Sequence, residues 1–265
     1  MSTDFSPSPA SSFRRRLIVR EHLVGTFIKT PTSHSIEILG ALGFDFVVID
    51  AEHAPFDRAS IDVALLAARA VGTAGLVRVA EPTAAAVLSV LDCGATGLLV
   101  PHVTSAAKAK EIVAMARYRG GRRGYSGSPR AAGYGGGSMW NYIDQADATT
   151  VVIAMIEDPE GVEDIDAITA VDGLDALFIG RGDLTVALGA TSNTAPAVQS
   201  AVERVTAAAA KLGKPLCVMV GGATEAAALQ QLGATAFIVS SDQGFMRRAA
   251  AEEIKAVAAL SSSQA

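Results

Sequence analysis

Eight short apolar runs recur along the chain: Gly25–Lys29, Phe44–Ile49, Gly75–Val79, Gly97–Val100, Val151–Ile156, Ala176–Ile179, Leu216–Val220 and Ala236–Val239. They are rich in Val, Ile and Leu and mostly continuous rather than alternating. A strand with one solvated face alternates, whereas a continuous run of this length suits a strand covered on both faces, as in a parallel sheet. Between the runs lie stretches that read as helices: Ser35–Leu42, Ser60–Ala70, Thr83–Leu91, Ser105–Ala116, Pro159–Val171, Ala195–Leu212 and Thr224–Leu232. Gly43, Gly72, Gly94, Gly173, Gly213 and Gly233 stand at or near helix ends, where a left-handed cap favours glycine. The order is strand then helix, eight times. Crossovers of this size make neighbouring strands parallel, and eight of them close into a (β/α)8 TIM barrel. A doubly wound open sheet is the competing architecture, but no GxGxxG follows the first strand.

A chain of 265 residues fits one such barrel, assigned here to residues 14–265. Residues 1–13 are Ser/Pro-rich and read as a mobile tail. No apolar region precedes Arg14–Arg16, so no secretory signal is expected, and the cytoplasm is the expected compartment. Half the residues are hydrophobic and 18% are charged, which excludes a wholly disordered chain. A net charge of −5 argues against non-specific nucleic-acid binding, which needs a basic face. No run of apolar residues is long enough for a membrane span. Cys93 and Cys217 sit in apolar runs and read as buried small hydrophobes. One segment breaks the rhythm. Tyr118–Tyr142 is Gly-rich and carries Arg119, Arg122, Arg123 and Arg130; a loop this long is expected to serve a site or a subunit contact.

Active sites of these barrels gather where the strands end. The second run ends with Asp50, Glu52 and His53, the third carries Arg78, and the fourth leads to His102. The fifth leads to Glu157 and Asp158, and the sixth to Arg181 and Asp183. Consecutive strands thus deliver ionisable groups to one rim. Either carboxylate, Glu157 or Asp183, could merely cap a helix. Together, on adjacent strand ends, they could share a hard divalent cation such as Mg²⁺ or Mn²⁺ that keeps positions open for a 2-oxo acid. No zinc-binding pattern is present. His53, among acids after a strand, is suited to proton exchange at neutral pH. Arg78, between two valines, needs an anionic partner: a ligand, or a structural Asp or Glu. Asp92 ends a helix and reads as a surface residue.

The motifs FDFVVIDAEHAP, VLDCGATGLLVP, RYRGGRRG, MIED and VDGLDALFIGRGDL, with Arg78 among them, resemble in order and spacing the HpcH/HpaI aldolases. These are class II pyruvate aldolases, and the likeness is nearest to those acting on 4-hydroxy-2-oxoheptanedioate and 2-dehydro-3-deoxyglucarate. The resemblance implies a barrel whose last helix is swapped between subunits, in a homohexamer built as a trimer of dimers. It implies Glu157 and Asp183 as ligands of Mg²⁺, Mn²⁺ or Co²⁺, His53 as general base and Arg78 as stabiliser of the enolate. It assigns Asp92 to raising the basicity of His53, and Asp50 to orienting the same site. The backbone at Gly182 and the side chain of Asp183 would border the pyruvyl carboxylate, and Arg123 matches the arginine of the family's GxRG turn. Two positions depart from the family. Met155 stands where Gln is usual, and Arg181–Gly182 replace Pro and a small residue. On the same face as Glu157, Met155 would set an apolar thioether beside the oxo-acid. Arg181, read as an exposed rim cation, would meet the far end of the substrate or else pair with a neighbouring acid.

The implied reaction is reversible cleavage of a 4-hydroxy-2-oxo acid to pyruvate, or hydroxypyruvate, and an aldehyde. Lys29 is the one lysine closing a strand, which makes an imine mechanism the weaker choice. A lyase acting on an acyl-CoA, with the arginines of 118–130 meeting phosphates, is the alternative enzyme. A catalytically silent binding barrel is the alternative from another class.

Overall fold

The computed structural model describes residues 9–262. Eight parallel strands close in chain order: β1 (Leu23–Ile28), β2 (Phe46–Asp50), β3 (Ala74–Arg78), β4 (Gly97–Val100), β5 (Val151–Ile156), β6 (Ala176–Ile179), β7 (Leu216–Val220) and β8 (Ala236–Ser241). β8 returns to pair with β1, so the sheet is a closed (β/α)8 barrel and not an open one. The helices are α1 (Pro9–Ile18), α2 (Ser33–Ala41), α3 (Arg58–Ala70), α4 (Ala84–Asp92), α5 (Ala106–Ala116), α6 (Met139–Thr149), α7 (Pro159–Glu163), α8 (Ile165–Thr169), α9 (Arg181–Ala187), α10 (Pro196–Leu212), α11 (Ala223–Gln231) and α12 (Asp242–Ser262).

The pleat of each strand divides the core in two. Phe27, Phe46, Leu76, Met155 and Phe178 belong to the barrel interior. Their neighbours Ile28, Val47, Val77, Ile156 and Ile179 pack in a separate layer under the helices. Both faces are buried along most of the barrel, Met219 of β7 being an exposed exception, which is why the strands read as unbroken apolar runs. All six glycines named from the sequence adopt left-handed backbone angles, and Gly213 (φ 64°) is the C-cap of α10. Both cysteines are buried and free. No helix among the described residues is long and apolar enough to cross a membrane.

The N-terminal segment differs from its sequence reading. Residues 9–13, assigned to a tail, open α1, and residues 1–8 lie outside the described residues. Phe13 and Leu17, one helical turn apart, enter the barrel interior, with the Phe13 ring 5.3 Å from that of Phe46. Arg14 pairs with Asp175 and Arg16 with Asp45, each at 2.8 Å. Those acids stand just before β6 and β2, so α1 closes the floor of the barrel, opposite the strand ends. Phe13→Ala should therefore cost about 3 kcal/mol, in the range for a buried ring, and lower Tm by roughly 6 °C or more. Thermal denaturation checks this; a loss under about 1 kcal/mol would mean that α1 does not complete the core.

Two further segments depart from the sequence pattern. The stretch read as one helix from Pro159 to Val171 breaks into α7 and α8 at Asp164, whose carboxylate instead accepts the Ala106 amide at the start of α5 (2.7 Å). The irregular segment after α5 holds a short 3-10 turn, Arg130–Gly135, and the start of α6. It sets out from the floor, where Arg117 donates to the Thr150 carbonyl and pairs with Asp175. It then docks on α3 through Arg130 and Asp62 (2.6 Å).

Candidate active site

The interior face of the barrel continues upward past the last apolar layer. Alternation carries it from Phe27 to Lys29, from Val48 to Asp50, from Leu76 to Arg78 and from Met155 to Glu157. Polar groups from four strands therefore meet at the rim because each stands two residues beyond a core position.

Asp50 is fully buried and organises one side of this rim. Arg78 donates to it in a bidentate fork, Nε to Oδ1 at 2.9 Å and Nη2 to Oδ2 at 2.7 Å. Lys29 Nζ lies 3.2 Å from the same carboxylate, and the backbone amides of Glu52 and His53 donate to Oδ1. Burial alone would push the Asp50 carboxyl up. The fork and charge of Arg78, the His53 amide and Lys29 outweigh it and hold the group below the usual carboxylate range. Arg78 is completed by Glu52 at 3.2 Å and by the Phe27 ring, 4.9 Å from its guanidinium carbon. Asp50 and Glu52 are thus the anionic partners that a buried arginine requires. One N–H on each terminal nitrogen of Arg78 remains free for a ligand. Asp50 also pins the turn that carries His53, whose ring is more than half exposed and stands 3.6 Å from Glu52.

Glu157 occupies the other side and is 2% exposed. Its Oε1 accepts the backbone amide of His102 at 2.8 Å. Burial, with the nearby charges of Asp183 and Glu52, outweighs that bond and His102's charge, and pushes its carboxyl up to about 7. Asp183 sits in the first turn of α9 and is exposed to the rim. Gly180 makes this packing possible: a Cβ there would stand 2.5 Å from Glu157 Cβ and 2.7 Å from Oε2. His102 holds a left-handed backbone (φ 53°), and its Nδ1 lies 3.0 Å from Asp158. Burial lowers the basicity of that imidazole, but the bond to Asp158 and the charges of Glu157, Asp158 and Glu52 raise it more.

The remaining sequence-derived residues divide. Met155 is buried beneath Glu157 on the same inner face. Gly182 is exposed in α9, and a Cβ on it would meet nothing within 4 Å, so the space beside Asp183 is open. Arg181 is not the exposed rim cation expected; its side chain is 13% exposed, pairs with Glu225 at 2.7 Å and donates to the Met219 carbonyl. It ties α9 to the end of β7. Asp92 and Arg123 stand apart from the rim. They face each other at 3.5 Å where α4 ends, with the Arg123 guanidinium stacked on Tyr118. Burial raises the Asp92 carboxyl despite Arg123. Of the loop arginines, Arg119 pairs with Asp144 and Arg122 with Glu111.

Sequence reasoning gave no role to Glu52, His102 or Gly180. The first two were visible as polar residues after strands. Nothing in the sequence marks Gly180, whose role depends on how near β5 comes to the end of β6.

Residues 23–249 match the family model described as HpcH/HpaI aldolase/citrate lyase. The chain is 34% identical over 241 residues to 5-keto-4-deoxy-D-glucarate aldolase of Klebsiella pneumoniae subsp. pneumoniae, covering 90% of this chain and 93% of that one. Among solved structures, it is similar to an HpcH/HpaI aldolase/citrate lyase family protein from Burkholderia cenocepacia J2315. That match has a TM-score of 0.89 and 30% identity over 93% of this chain and 99% of the other. It is also similar to the citrate synthase SbnG, with a TM-score of 0.86 and 30% identity over 95% and 99% of the two chains. With the barrel and its rim in place, the matched span leaves one assignment: the chain belongs to the HpcH/HpaI aldolase/citrate lyase family.

Proposed function

We propose that this chain is a divalent-metal-dependent aldolase that reversibly cleaves a 4-hydroxy-2-oxo acid to pyruvate, or hydroxypyruvate, and an aldehyde. The observation that carries the reading is the buried Glu157 beside Asp183. Two carboxylates near one another, one of them pushed toward neutrality, make a site that a cation would complete. Both donors are hard oxygens, which suits Mg²⁺, Mn²⁺ or Co²⁺. No three His, Cys, Asp or Glu side chains among the described residues form a metal-binding group, so water and substrate would supply the other ligands.

Such a cation, when bound, supplies Lewis acidity toward the 2-oxo acid. The protein's own groups do the rest. Arg78, locked by Asp50 and Glu52, offers its two free N–H groups to the oxygen on which negative charge grows. A donor fixed in advance stabilises that charge without reorganising. His53, exposed above the Asp50 turn, takes the 4-hydroxyl proton in cleavage and a methyl proton of pyruvate in synthesis. Met155 lines the floor under Glu157 with an apolar surface, and Gly182 leaves room for the carboxylate of the oxo-acid. Arg181 shapes the site through Glu225 instead of touching substrate.

A swapped C-terminal helix in a homohexamer fits α12, which is exposed from Met246 to Leu260, including Ile254 and Val257. Asp92 and Arg123 would serve a rim only across a contact between copies, since within one chain they pair with each other. The aldolase reading is tested by removing metal with EDTA and assaying pyruvate and hydroxypyruvate against a panel of aldehydes with each ion restored. Activity should fall below a few per cent and return with the ion. Full activity in the metal-free protein would overturn the metal-dependent reading.

A further inference from the structure

A cavity of about 630 Å³ lies at the far end of the barrel from Glu157, outside the starts of β3, β4 and β5. α3, α4, α6 and the loop through Gly133, Gly136 and Gly137 line it, and it is open to solvent on one side. Its volume is in the range of small-molecule sites. The only charged side chains in its lining are Arg69, Arg123 and Arg130. Asp62 hydrogen-bonds a terminal nitrogen of Arg130 from outside, and Asp92 lies 3.5 Å from one of Arg123, with its Oδ1 buried and without a hydrogen-bond partner. Neither pairing uses the Nε groups: Arg123 Nε and Arg130 Nε are buried and have no hydrogen-bond partner. The Arg123 side chain is only 2% exposed. A buried guanidinium N–H without an acceptor is costly and calls for one. Arg69 has no ionic partner among the described residues and is exposed at the same wall. Ser138, the N-cap of α6, makes no side-chain cap bond, so the amides of that first turn are open as well.

We propose that this cavity is a second binding site, for a small oxyanion, either a phosphate or a dicarboxylate, held by Arg69, Arg123 and Arg130 at the opposite end of the barrel from this chain's own rim. The two anion classes share the geometry that guanidinium groups recognise. The site does not depend on the aldolase assignment.

The test is a titration of the full-length protein with inorganic phosphate and, separately, malonate, at constant ionic strength set by KCl. Calorimetry reads affinity and thermal denaturation reads stabilisation. Saturable binding is expected for at least one anion, with Tm raised by roughly 3 °C at ten times Kd. Whichever binds more tightly names the class. Two variants locate the site. Gly137→Asp introduces a carboxylate where a Cβ meets nothing within 4 Å, and Arg69→Glu reverses an exposed charge. Each should weaken binding at least tenfold while leaving aldol turnover unchanged. Absence of saturable binding by both anions would overturn the proposal. So would wild-type affinity in either variant, which would place the anion on the rim or on the general surface.

Discussion

Glu157→Gln is expected to reduce turnover by about 10³-fold at saturating metal, the loss of several kcal/mol of charge stabilisation. The amide keeps the shape of the side chain, so the packing against Gly180 survives. Its oxygen can still accept the His102 amide that now reaches Oε1. What disappears is the negative charge, in a place where burial and Asp183 already oppose it. The metal-free variant should therefore melt no lower than the metal-free wild type, and only the metal-induced rise in Tm should vanish. Steady-state kinetics with paired thermal denaturation checks both halves. Turnover within tenfold of wild type would remove Glu157 from the metal site.

The second large effect is structural. Asp50→Asn leaves Arg78 and Lys29 facing a neutral amide, with Glu52 as the nearest carboxylate. Removing one partner of a buried pair costs roughly 3–5 kcal/mol, which lowers Tm by roughly 10 °C in a protein of this size. Turnover should fall too, because Arg78 loses its fork and the His53 turn loses its anchor. The effect has a defined pH dependence. Asp50 titrates lower in the folded chain than in the unfolded one, so its stabilisation is complete above the unfolded value near 4. It disappears as pH falls through the lower folded value. The gap in Tm between wild type and variant should be full at pH 7 and shrink below about pH 4. A gap of less than about 1 kcal/mol at pH 7 would show that Glu52 alone can hold Arg78.

The barrel is legible in the sequence because its strands are buried on both faces: Val151–Ile156, for one, is observed with the bounds its apolar run suggests. Strand ends are less legible. Phe44 is apolar enough to extend the second run, yet β2 begins at Phe46, after Asp45 has turned to bond the Val24 amide. Helix α1 is hidden because its inward-facing Phe13 and Leu17 stand amid serine, proline and arginine. The rim residues are legible as types: an acid, a base and an arginine after strands. Their pairing is not, because it depends on register. Asp50 meets Arg78 since the two are opposite partners on β2 and β3. Arg181 shows the same limit: its sequence position leaves open a substrate contact or an acid partner, and the fold supplies the acid, Glu225, forty-four residues away in the chain.

The floor helix also links distant parts of the chain through the barrel interior. The barrel cannot close until β8 is available to pair with β1, and β8 ends at Ser241. Phe13 and Leu17 share one interior cluster with Ala236 and Ile238 of that strand. Helix α1 thus has no finished surface to cover until the last strand of the ring is in place. Contacts between distant parts of a chain carry an entropic cost before they repay it. The full contact set of α1 exists only in the closed ring, so that helix and the pairing of β8 with β1 complete one another.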